Sequence, residues 1–83
     1  MKVRPGEFLY LWDRKGNRMV GRKVRYIESY DKDHYVVYGP THKRLVSRMQ
    51  SISRATNNDP FVKKVDGIDY YRIQMINAYE ELK

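Results

Sequence analysis

Thr41-His42-Lys43-Arg44-Leu45-Val46-Ser47-Arg48-Met49-Gln50-Ser51-Ile52-Ser53-Arg54-Ala55 is the stretch on which the fold class turns. At helical spacing, Leu45, Val46, Met49 and Ile52 fall on one face, which would go to a core. Thr41 suits an N-cap, so the expectation is one central helix from Thr41 to about Ala55. Arg44 and Arg48 share a different face of that helix, with Lys43, Ser47 and Arg54 nearby. One local rule is broken. His42, Lys43 and Arg44 occupy the first turn, where the positive end of the macrodipole prefers acids, and each misplaced cation costs about 0.3 kcal/mol or more. No Glu or Gln closes a capping box there. Free N–H groups, the dipole and three basic side chains would together hold a phosphate. Tolerance of a small surface cost is the plainer alternative.

Upstream of this stretch the pattern is β. Glu7 to Trp12 is rich in aromatics and apolar on both alternating faces, with Leu9 and Leu11 on one and Phe8, Tyr10 and Trp12 on the other. Asp13 to Asn17 reads as a hairpin loop in which Gly16 is free to take positive φ. A long second strand is expected from Arg18 to about Ser29, with a bulge at Gly21. Tyr30 to His34 forms a second turn, Tyr35 to Tyr38 a third strand, and Gly39-Pro40 stops it. The first half is therefore an antiparallel meander, which an SH3-like or OB-like small barrel is one way of completing.

Downstream, Asn57 to Pro60 is too short to separate domains, so residues 1–83 are read as one small basic domain. Asp66-Gly67 lies between Phe61–Val65 and Ile68–Ile73, a strong short-range hairpin signal. The competing reading makes 68–83 one helix, because Ile68, Tyr71, Met75, Tyr79 and Leu82 also fit helical spacing. We take the hairpin, followed by a short C-terminal helix from Met75 to about Leu82. The expected class is thus α+β.

Charge narrows the function. The 83 residues carry 17 Lys and Arg against 10 Asp and Glu, a net charge of +7. Residues 1–54 hold 13 of these cations and five acids, whereas residues 55–83 are nearly balanced. Such asymmetry favours an anionic partner bound to one part of the domain. Arginine outnumbers lysine in the basic part, which suits forked phosphate contacts and stacking on bases. The expected nucleic-acid contacts are Arg14, Lys15, Arg18, Arg22, Lys23, Arg25, Lys43, Arg44, Arg48 and Arg54. Tyr30, Tyr35 and Tyr38 are expected as stacking residues, since tyrosine tolerates one wet end. Phe8, Tyr10 and Trp12 would form a further stacking platform if exposed, although core is the simpler role for them.

Catalytic and metal constellations are not apparent. With no cysteine there is no disulfide, thiolate metal site or cysteine nucleophile. Asp31, Asp33 and His34 lie close together, but Lys32 stands between them. His34 and His42 leave a small metal-free ribonuclease as the weakest alternative, one histidine taking a 2′-hydroxyl proton and the other protonating the leaving oxygen. No catalytic residue, metal or cofactor is expected. No leader or membrane span is read, which points to the cytoplasm.

The leading reading is a non-enzymatic protein that binds RNA or another single strand through an arginine-rich surface. The second is a small phage-type inhibitor or adaptor gripping an acidic protein surface, for example on a nuclease, with RNA as a bridge between them. Hydrophobic residues are only 41% of the chain, and eight of them are tyrosines. With so little to cover a strand that is apolar on both faces, a homodimer burying aromatic surface is also expected.

Overall fold

The computed structural model describes residues 2–67 and 72–83. Six strands build one antiparallel sheet: β1 (Phe8–Lys15), β2 (Arg18–Ser29), β3 (His34–Tyr38), β4 (Lys43–Ser47), β5 (Ile52–Ala55) and β6 (Val62–Asp66). A single helical turn, α1 (Ala78–Glu81), follows. The path across the sheet is β4-β3-β2-β1-β5, and β6 joins β2 on the same edge as β3, at the opposite end of the strand. Twelve residues long, β2 makes this branching possible: Met19 to Arg22 pair with β6 while Arg25 to Ser29 pair with β3.

The central helix does not exist. Its residues form β4, a turn and β5, so the class is antiparallel β with one helical turn rather than α+β built around a helix. A helix needs Leu45, Val46, Met49 and Ile52 on one buried face. In the structure Val46 and Ile52 are buried, whereas Leu45 is 51% and Met49 82% exposed. The observed pattern across Leu45 and Val46 is the alternation of a strand, one residue out and the next in. Gly39-Pro40 turns the chain back antiparallel onto β3, where Val46 meets Tyr35 in the core. Tertiary pairing overrides a helical periodicity carried by only four residues.

Three smaller expectations also change. Gly21 is in regular register with Trp12 and Lys63, and the irregularity of β2 falls between Tyr26 and Glu28. The C-terminal helix shortens from the expected Met75–Leu82 to Ala78–Glu81. The first arm of the expected C-terminal hairpin is β6, but it pairs with β2. Residues 68–71, most of the second arm, lie outside the described residues; the competing single helix over 68–83 does not form, because Ile76 bridges Ile52 and, among the described residues, only Ala78–Glu81 is α-helical.

Two cores form, one on each face of β1. Leu9 and Leu11 join Val24, Tyr26, Tyr35, Val37, Val46 and Ile52 in the larger cluster. Val46 and Ile52 come from opposite ends of the sheet path, so the sheet curls until both ends share one core. Val3, Ala78 and Leu82 close this core, with Val3 and Leu82 bridged in parallel. On the other face, Tyr10, Trp12 and Met19 pack with Ile73, flanked by Val65 and Met75. The chain thereby covers Tyr10 and Trp12 itself. No helix among the described residues is long and apolar enough to cross a membrane.

Candidate nucleic-acid interface

Residues paired across an antiparallel sheet point to the same face. Phe8 pairs with Arg25, Arg25 with Tyr38, and Tyr38 with Lys43. One line across β1, β2, β3 and β4 therefore reads aromatic, cation, aromatic, cation. Three inter-strand steps of about 4.8 Å make it roughly 14 Å long. The neighbouring line, Glu28–Val36–Leu45, carries one acid.

The start of this row is fixed by cation–π packing. Lys23 Nζ lies 5.1 Å and Arg25 Cζ 5.0 Å from the Phe8 ring centroid. Lys23 is also a tether, because its ammonium donates to the carbonyls of Asn57 (3.0 Å) and Asp59 (2.6 Å). Its main-chain N–H donates to Phe61 O at 2.8 Å, and the Tyr10 hydroxyl donates to Pro60 O. These bonds hold the segment before β6 against β2 and stand Phe61 beside Phe8. The result is a cleft of about 310 Å³ lined by Phe8, Lys23, Arg25, Tyr38, Pro40 and Phe61. Gly39, at φ +142°, forms part of its wall and packs so closely on β2 that a Cβ would sit 3.4 Å from Val24 Cα. Tyr38 and Phe61 are each 45% exposed.

Of the residues expected from sequence, Lys23, Arg25, Tyr38 and Lys43 come together here. The others separate. Lys15, Arg18 and Arg22 pair on the opposite face of the sheet, and Arg18 sits 3.5 Å from Asp66. Arg14, at the hairpin tip, donates to Gly16 O at 3.3 Å. Arg44 pairs with Val37, which places it on the face opposite Lys43. Arg54 is committed to carboxylates, 2.7 Å from Glu81 and 3.8 Å from Glu7. Arg48 is only 9% exposed and donates to the carbonyls of Asp31 and Ala78, so it braces the fold rather than meeting a ligand. Tyr35 is fully buried and cannot stack on a base, whereas Tyr30 stands exposed in the turn before β3.

Phe61 was missed as a site residue. Its signal was present in Pro60-Phe61, an aromatic next to a turn, but it was absorbed into the expected hairpin. The two histidines lie at opposite ends of β3. His34 begins the strand, and His42 stands opposite Gly39, about 16 Å farther along by strand rise. That spacing does not put both on one phosphodiester. His34 Nδ1 is instead 3.0 Å from Asp31 Oδ1. A second cavity, about 490 Å³, lies beside Tyr10 and Trp12 on the face of the smaller core; Arg54, Lys63 and Arg72 line it together with one acid, Asp59. Comparison with protein-family models, curated proteins and solved structures yields no match.

Proposed function

We propose that this chain is a non-enzymatic binder of single-stranded nucleic acid, RNA in the first instance, acting in the cytoplasm. The observation that carries the reading is the Phe8–Arg25–Tyr38–Lys43 row, in which stacking surfaces alternate with positive charge. Strand binders combine those two elements: cations follow the phosphates and rings take the bases. A net charge of +7 adds attraction at longer range. Duplex readers commonly lay a helix in the major groove, and the helix described here is a single turn. An unpaired strand lying along a sheet face is the better geometric partner.

Fluorescence anisotropy with a labelled RNA 12-mer, alone and annealed to its complement, tests this. Tighter binding of the single strand is expected. About three neutralised phosphates predict a log–log salt slope of roughly −2. Absence of binding at low salt, or equal affinity for the duplex, defeats the proposal.

A further inference from the structure

We infer that the Phe8–Tyr38–Phe61 cleft is a subsite for one unpaired nucleobase, an inference that rests on the strand-binding reading above. Three aromatic rings border a space of about 310 Å³, the lower end of the range for ligand pockets. That suits a single planar ring system rather than a bulky ligand. The rings come from β1, β3 and the segment before β6, so they border an open cleft from different elements instead of forming one flat platform. Phe61 is positioned in advance by the main-chain bond from Lys23 and by the Tyr10–Pro60 bond beside it. Pre-positioning lowers the ordering cost when a ligand enters. Arg25, on the rim, has no carboxylate partner among the described residues and keeps its guanidinium against Phe8. Lys43 lies one strand farther along, beside Tyr38, where the phosphate following an inserted base would pass. An aliphatic ligand would gain nothing from the cationic rim, and a bare phosphate would gain nothing from the rings. A base joined to its phosphate uses both.

The experiment compares two ribose-phosphate 8-mers of equal charge, one entirely abasic and one with a single adenine near its centre. Stacking predicts that the one-base strand binds about 5- to 150-fold more tightly. Phe61→Ala should remove that gain while leaving the salt slope unchanged, and Tyr38→Ala should reduce it. Shifts of the Phe61 and Tyr38 ring protons in the wild-type chain on adding the one-base strand give the same decision without a substitution. Equal affinity for the two strands overturns the subsite and leaves strand binding standing. A gain that survives both substitutions also overturns it, because the base then stacks elsewhere. If neither strand binds while natural RNA does, the subsite fails alone; if nothing binds, both proposals fail.

Discussion

Gly21 lies flat against the Trp12 indole, so close that a Cβ on Gly21 would stand 2.9 Å from two of the ring carbons. The two residues are register partners on neighbouring strands. Trp12 has little freedom to retreat. Its Nε1 donates to Ser53 Oγ at 2.8 Å, its carbonyl accepts from Gln50 at 2.6 Å, and its ring packs with Tyr10, Met19 and Ile73.

Gly21→Ala therefore tests the second core. An alanine in a strand ordinarily gains about 0.5–1 kcal/mol over glycine by restricting the unfolded chain. Overpacking a fixed core costs about 1–3 kcal/mol, so the clash should win. Urea denaturation should show a net loss. Equal or greater stability would mean that Trp12 moves freely and that this face is loosely packed.

The arginines should separate into two kinds. Arg48→Ala leaves the carbonyls of Asp31 and Ala78 without their charged donor and should lower stability by about 1.5–3 kcal/mol. Arg25→Ala and Lys43→Ala should change stability by no more than about 0.5 kcal/mol. Each should nevertheless reduce the steepness of the RNA salt slope by about 0.7. Thermal melts and anisotropy on the same three proteins decide it. A binding defect in Arg48→Ala with unaltered stability would reverse the assignment.

How much of this was legible can be judged from two segments. Between Phe8 and Tyr38 the period-2 pattern, the Gly16 turn and the double-faced apolar β1 all led to strands that the structure contains. Residues 41–55 misled because Leu45, Val46, Met49 and Ile52 share a helical face by coincidence. The contrary signal was the cationic first turn. Three basic residues at a helix start fit a phosphate site, but they argue more simply that no helix starts there. The site was half legible for a related reason. Charge and residue type single out Arg25, Tyr38 and Lys43, but only register says that they share a face. Burial of Tyr35 and Arg48 depends on how the sheet curls, which no local pattern encodes.

Asp31 should titrate low. The Asp33 main-chain N–H, donating at 2.8 Å, is the main cause, and His34 at 3.0 Å adds to it. A carboxylate favoured in the folded state contributes its stability in full above the ordinary range, near pH 4, and loses it as pH falls through the lowered value. Carbon-detected NMR should place the Asp31 midpoint below 3.8. A midpoint at or above that value would show that the turn does not hold the carboxylate as described.

Tyr35 is the converse case, a group held neutral by burial. Its ring is fully buried, 6.0 Å from that of Tyr26 and roughly edge-on to it, and its hydroxyl has no hydrogen-bond partner among the described residues. Burial raises the phenol well above its ordinary value of 10.0; the Arg48 charge pulls the other way without cancelling it. The folded chain thus keeps a proton that the unfolded chain releases above pH 10. The stability linked to this proton is complete below pH 10 and declines by up to about 1.4 kcal/mol per pH unit above it. Tyr35→Phe removes the titrating group and the unpaired hydroxyl together. At pH 7 the variant should match the wild type or exceed it by about 1–2 kcal/mol, since a buried hydroxyl without a partner is unfavourable. At pH 11 its advantage should be larger by about 1 kcal/mol, because only the wild type has Tyr35 to ionise on unfolding. Urea denaturation of both proteins at the two pH values measures both differences. A loss above about 1 kcal/mol at pH 7 would mean that the hydroxyl makes a favourable bond. An advantage that does not grow at pH 11 would mean that the phenol ionises as easily folded as unfolded.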